Sequence, residues 1–316
     1  MAGVALAMPL LGAATPYVRL EGEQGTTADE KDRFTREVEA INFHLLMQPA
    51  IQTQPALLAL WANLDQFHRS ARVDVYALKA KTAILAGANA ITLTDPTSGR
   101  RWFQLAHSYA RLGDAPSLIE LAHARAANAE LYWDSKGTKE ANINAALAAR
   151  RASSTQMEGM AQGMLARIAG RQGRAQAALR HAEQAVAFAT DAGESPRLDL
   201  WSAPIAHGTA ACALATFPEL AQQAERHAQA SLQGYPAEAT HRRTQARFDI
   251  ARVRINAEQL DGAADTIMTA IRQLPVEHLE PNLMAEVHEL YDLAEQRHPR
   301  TRAMRPVREW LEALPN

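Results

Sequence analysis

The chain has one cysteine, Cys212, in 316 residues. This excludes an internal disulfide framework and any zinc site built on several thiolates. Cys212 stands between alanines in TAACALAT, where a small buried packing residue is expected. Aromatic residues are scarce, 6% against 47% hydrophobic residues in all. With Ala and Leu dominant, that balance favours helices packed through small side chains over a β-rich core. Charge of neither sign prevails: the net charge is −2, so no global field draws the chain to nucleic acid or to an anionic membrane. Lysine is confined to Lys31, Lys79, Lys81, Lys136 and Lys139, and arginine carries the basic charge. Genomic GC bias supplies Arg and Ala together, so the arginines carry no nucleic-acid signal of their own.

Long hydrophobic runs are missing too. Residues 1–16, MAGVALAMPLLGAATP, are apolar, but Pro9 interrupts them and they fall short of the ~20 residues of a membrane span. They also lack the basic region that precedes a secretory core. We read residues 1–26 as a flexible apolar leader and linker, and expect a cytoplasmic protein with no membrane contact. The nucleophile, phosphate-loop and dinucleotide signatures are absent. His288 and Asp292 resemble half of a helical zinc motif, but the second histidine is replaced and no third ligand is placed. No enzymatic activity, cofactor or metal is therefore expected. Gly159, Gly163, Gly170 and Gly173 lie inside a helical pattern, where close helix packing is a better explanation than a phosphate cradle.

What is present is a helical rhythm, clearest from Trp102 to Ala127, WFQLAHSYARLGDAPSLIELAHARAA. Trp102, Leu105, Ala106 and Tyr109 fall on one helical stripe, Gly113-Asp114 breaks it, and a second helix follows Pro116. The order of aromatic, Leu, small residue, Tyr and turn resembles the tetratricopeptide helix-turn-helix unit. The rhythm returns around Leu165–Ala185, Ala211–Leu232 and Ile250–Ile271. Equivalent alanines Ala178, Ala224 and Ala263 are spaced more widely than the ~34 residues of a standard unit. Before the clear unit, the pattern predicts helices from Thr27 to about Met47, Pro55 to about His68, and Val73 to about Leu93. Asp95-Pro96 is read as a helix cap, and capping patterns start at Thr155, Ser195 and Thr216. A polar turn at Asp134–Gly137 precedes a helix over Thr138–Arg151. Helices over Asn282–Gln296 and Arg300–Leu314 are expected to cap the array, with Trp310 inward and Arg300, Arg302, Arg305 and Arg308 in water. Residues 27–316 thus predict an all-α fold: a right-handed α-solenoid of degenerate tetratricopeptide-like helix pairs with C-terminal capping helices.

Arg242, Arg243, Arg247, Arg252 and Arg254 form the densest basic cluster and are read as an exposed helix face. In tetratricopeptide arrays the first helix of each unit lines the concave face. That geometry predicts a ligand groove formed by Phe103, His107, Arg111, Arg167, Arg171, Phe248, Arg252 and Asn256. Guanidinium groups beside aromatic faces suit a carboxylate-bearing peptide or an anionic small molecule.

Several segments together, TAILAGANAI, RRWFQLAHSYARLGDAPSLIELAHARA and the closing HPRTRAMRPVREWLEAL, with the leader-like MAGVALAMPLLGAA, carry a wider resemblance. From about Asp32 onward the chain resembles the tetratricopeptide-like C-terminal region of actinobacterial XRE-type helix-turn-helix transcriptional regulators. The resemblance implies a regulatory helical array that senses a ligand or protein partner and mediates dimerisation. It also implies an N-terminal DNA-binding domain, and here the sequence departs from the pattern, since no helix-turn-helix precedes the array. Two functional expectations follow. One is a non-enzymatic sensor or interaction module of a transcriptional regulation system, with a peptide, protein or anionic small-molecule ligand and a second copy of the chain as candidate partners. The other is the sensing half of a repressor whose DNA-binding part is missing from this chain. An enzyme with an unrecognised site in a helical fold is the third alternative.

Overall fold

The structure, a computed structural model, describes residues 27–66, 73–133, 138–189, 201–299 and 301–314. The leader, the Asp134–Gly137 turn, the Ser195 cap and Arg300 lie outside the described residues. Among those described, every regular element is helical: α1 (Thr27–Met47), α2 (Ala50–Gln66), α3 (Val73–Thr92), α4 (Pro96–Leu112), α5 (Pro116–Trp133), α6 (Thr138–Arg151) and α7 (Thr155–Arg171). The second half holds α8 (Ala175–Ala187), α9 (Ala203–Leu214), α10 (Ala221–Gly234), α11 (Thr240–Asn256), α12 (Leu260–Gln273), α13 (Pro281–Arg297) and α14 (Arg305–Glu312). None is long and apolar enough to cross a membrane.

Local chemistry explains most boundaries. Asp95 caps α4 by accepting from the Ser98 N–H at 3.0 Å, and Pro96 takes the first helical position. Ser154, one residue before the expected cap, accepts from the Met157 N–H at 3.3 Å and opens α7. The Thr216 pattern gives a short 3₁₀ turn, Pro218–Leu220, before α10. Pro55 does not open α2 but sits inside it. The helix starts a turn earlier because buried Glu280 accepts from the Ala50 N–H, and the carbonyl that Pro55 cannot bond belongs to Ile51, which is 53% exposed.

Four helices end in the same turn. Thr94, Asp114, Gly173 and Glu258 take left-handed φ of 54°, 46°, 69° and 62° after α3, α4, α7 and α11. In each, the next residue donates its N–H to the carbonyl five residues back: Asp95 to Ala90, Ala115 to Ala110, Arg174 to Ala169 and Gln259 to Arg254. This is the Schellman geometry, which satisfies carbonyls that a helix end would leave unpaired. Three of the four turns use a residue with a side chain at a position that favours glycine.

Consecutive helices pack on one another up to α12, α12 and α13 each contact α14, and α3, α5, α7, α9, α11 and α13 also touch in sequence. The last of this inner set returns to the first, since α13 touches α3, and α1 touches α11. The inner helices therefore close a ring with the even-numbered helices behind them. Small residues permit the close approach: Ala178, Ala224 and Ala263, spaced along α8, α10 and α12, are all fully buried. A Cβ on Gly170 of α7 would stand 2.4 Å from the Ala213 carbonyl oxygen, and one on Gly163 2.5 Å from the Trp201 ring. Gly159, Gly163 and Gly170 mark helix contacts, as their place in the helical pattern suggested, whereas Gly173 lies past the end of α7 in a left-handed turn, where a Cβ would meet nothing.

The clearest sequence unit does not coincide with one pair of helices around the ring. α4 is an outer helix packed on α3, and α5 is the next inner one. The register on α4 is also shifted. Trp102 and Phe103 are both buried, with Phe103 over Gly87, whereas Leu105 is 38% exposed. Tyr109 is half-buried, stacked on Tyr76 at 6.0 Å and edge-on to Trp61 at 5.6 Å. α14 is shorter than the expected Arg300–Leu314 and starts at Arg305, but its faces fall as expected: Arg305 and Arg308, and Arg302 in the preceding turn, are exposed, and Trp310 packs against the C-terminal core.

Candidate functional site

The inner ring encloses a cavity of about 230 Å³. Four of the six inner helices present a polar stripe at helical spacing: Arg125, Asn128 and Tyr132 on α5; Arg167 and Arg171 on α7; Arg242, Gln245, Asp249 and Arg252 on α11; Asn282, Glu286 and Glu289 on α13. α9 adds Thr209 and Cys212, and Ile91, Met160, Met164, Trp201 and Ile205 supply an apolar portion of wall. Trp201 is anchored by its indole N–H, which donates to the Ala185 carbonyl at 2.7 Å. Convergent polar groups beside an apolar patch are what fix the orientation of a bound ligand, and here the polar and charged side chains outnumber the apolar ones.

The charges are held in defined ways. Arg167 donates to Asn128 Oδ1 and lies over the Tyr132 ring at 5.0 Å. Burial alone would lower its pKa, but Cys212, Tyr132 and Asp249 nearby hold it above the usual arginine value. Arg242 donates to Gln245 Oε1 at 2.8 Å. Neither guanidinium has a carboxylate within ion-pair distance among the described residues, so two cations in one enclosed space rest on neutral amides. Arg171 donates to the Leu131 carbonyl. Arg252 reaches two carboxylates loosely, Glu289 at 3.5 Å and Glu286 at 3.8 Å. Burial pushes the Asp249 carboxyl up to about 8, and Glu286 adds to the rise while Arg252 and Arg167 oppose it. Burial pushes Glu286 up to about 7 against the pull of Arg252. At neutral pH the cavity is therefore more cationic than a count of its side chains suggests.

The residues expected in the groove divide. Arg167, Arg171 and Arg252 come together in the cavity. Phe103, His107 and Arg111 do not, because α4 is an outer helix: Phe103 is buried against α3, His107 meets the His123 ring at 4.9 Å, and Arg111 is exposed. Phe248 is 1% exposed and packed into the C-terminal core rather than lining the cavity. Asn256 is buried and donates to the Ala215 carbonyl, a role in joining α11 to the end of α9.

Two further expectations are corrected. The arginines of α11 are not an exposed face, since an inner helix is surrounded. Arg242 and Arg252 enter the cavity, Arg243 donates to the Leu232 and Tyr235 carbonyls, and Arg254 pairs with Glu225 at 3.0 Å. Cys212 is half-buried in the cavity wall within hydrogen-bonding reach of Arg167. Sequence reading missed Arg125, Arg242, Asp249 and Glu286 as site residues. The signal that marks them is a polar stripe at i, i+3 or i+4, and i+7 on helices whose other faces are apolar. No family model matches this chain, and no curated protein matches it.

Proposed function

We propose that the chain is a binding module, a right-handed tetratricopeptide-like α-solenoid of degenerate helix pairs, serving as the regulatory or sensor part of a transcriptional system. Its ligand is a small molecule, or the end of a peptide, that carries an anionic group and occupies the central cavity. The supporting observation is the pair Arg167 and Arg242, two guanidinium groups in an enclosed space with only neutral acceptors. An anion there gains charge-assisted, bidentate hydrogen bonds without stripping the arginines from an existing carboxylate partner. The closing contacts between α13 and α3 make occupancy and ring stability interdependent, which is how a ligand can alter a distant surface.

Thermal unfolding of the full chain against phosphate, succinate, citrate and the free amino acids tests this. At least one is expected to raise the midpoint, and Arg167→Glu with Arg171→Glu to remove the rise. No shift with any of them, or an equal shift in the variant, would overturn the reading. A second reading, an acid–base enzyme, draws on Asp249 and Glu286, whose raised pKa values suit a general acid. It requires that the stabilising compound be consumed, whereas a sensor returns it unchanged, and mass spectrometry of the recovered compound separates the two.

A further inference from the structure

Asn282 opens the polar stripe of α13 on the cavity wall and is 7% exposed. Its amide is answered at one end only. Nδ2 lies 3.4 Å from His241 Nε2, while Oδ1 is buried and has no hydrogen-bond partner. A buried amide oxygen left without a donor is costly, and on a cavity wall a ligand can supply the donor.

A primary amide can turn over, so the end that faces the cavity depends on what fixes the other. Here a chain of contacts from another helix fixes it. The Ala50 N–H at the start of α2 donates to Glu280 Oε1. Glu280 Oε2 lies 2.5 Å from His241 Nδ1. Two lone pairs cannot face each other at that distance, so the imidazole carries its proton on Nδ1. Burial lowers the His241 pKa, against the pull of Glu280, and the ring is neutral above pH 6.5. Its Nε2 is then an acceptor. Asn282 must offer it an Nδ2–H, which leaves Oδ1 for the cavity.

Arg242 follows His241 on α11, lines the same cavity, and adds to the fall in the His241 pKa. Asn282 touches that imidazole as well. A cation and a neutral acceptor therefore border the same part of the cavity. We infer that Asn282 is a specificity-determining residue: the anion bound here carries a hydrogen-bond donor of its own, a hydroxyl or an amide N–H, which Asn282 Oδ1 accepts. This rests on the reading of the cavity as an anion site and narrows the ligand class. Citrate, malate and monohydrogen phosphate fall within the class. Tricarballylate, succinate and sulfate fall outside it.

The test is calorimetry of the full chain at pH 7.5 with those anions as three pairs, alike in shape and differing in the donor: citrate against tricarballylate, malate against succinate, phosphate against sulfate. In at least one pair the member with the O–H is expected to bind on the order of 10- to 100-fold more tightly. Asn282→Leu is expected to abolish that ratio. Glu280→Gln tests the chain behind it, because Glu280 does not line the cavity. The new amide accepts from the Ala50 N–H and donates to His241 Nδ1, which moves the imidazole proton to Nε2. Asn282 then turns over, presents Nδ2–H to the cavity, and the ratio is expected to vanish or invert. Equal binding within every pair that binds, or a ratio that survives either substitution, would overturn the inference and leave the anion site standing. Absence of binding by all six anions would overturn the inference, and if the free amino acids are also silent the anion site falls with it.

Discussion

His207 on α9 and His227 on α10 meet Nδ1 to Nδ1 at 2.9 Å, with ring centroids 5.1 Å apart. One Nδ1–H donates to the other's lone pair, so the accepting ring must be neutral and the two rings cannot both be protonated. Burial lowers both pKa values, and with His207 and Arg226 adding to the effect His227 reaches about 4. Below the unfolded value of 6.5 the unfolded chain binds protons first. Stability is therefore full above about pH 6.5 and is lost as pH falls toward about 4. Burial lowers His107, His181 and His241 as well, with the same sign. The thermal midpoint is expected to fall across this window, and to fall less steeply in His227→Gln. A profile unchanged by the substitution would remove the pair as a cause. Such pairings are not legible in the sequence, where the two histidines are twenty residues apart without motif. Lys79 is similar: hydropathy places it outside the core, yet it is fully buried, 2.6 Å from Asp65 and 4.9 Å from the centre of the Tyr109 ring.

At the scale of the element, the helices themselves were largely readable. Periodicity gives α1, α3 and α6 to within a residue or two, because an amphipathic repeat and a capping residue are properties of contiguous sequence. α2 was placed late because its first N–H is held by a residue 230 positions away. Gly170 shows why the contact between helices is a separate matter. Within an isolated helix, alanine is favoured over glycine by ~1 kcal/mol. Here a Cβ would strike the backbone of α9, which cannot swing aside as a side chain can. Gly170→Ala is expected to destabilise the chain by about 1–3 kcal/mol in denaturant titration. A gain in stability would mean that α7 and α9 are not so close.

Over the whole molecule, the decisive feature is that the ring closes. Glu280, 5% exposed at the start of α13, accepts from the Ala50 N–H, and its other oxygen lies 2.5 Å from His241 Nδ1. One carboxylate thus joins α2, α11 and α13. Glu280→Ala leaves the Ala50 N–H buried without an acceptor, an expected cost of about 1–3 kcal/mol. Amide exchange is expected to quicken in α1 and α2 before the inner helices, and uniform protection would refute the seam. The sequence by itself determined an all-helical chain, most helix boundaries and the small residues that let helices approach, since these follow from propensity, periodicity and caps within short windows. It also carried Arg167, Arg171 and Arg252 toward one site. Only the tertiary structure decided which helices are inner and which outer, and so which side of each faces the cavity. Phe103, His107 and Arg111 were assigned to the groove by the rhythm around Trp102, but a rhythm of helices has the same appearance whether a pair begins at α3 or at α4. Contacts between residues far apart in the chain break that tie. They turn α4 outward, set Asp249 and Glu286 across from Arg125 and Arg167, and make one cavity of stripes that are separate in the sequence.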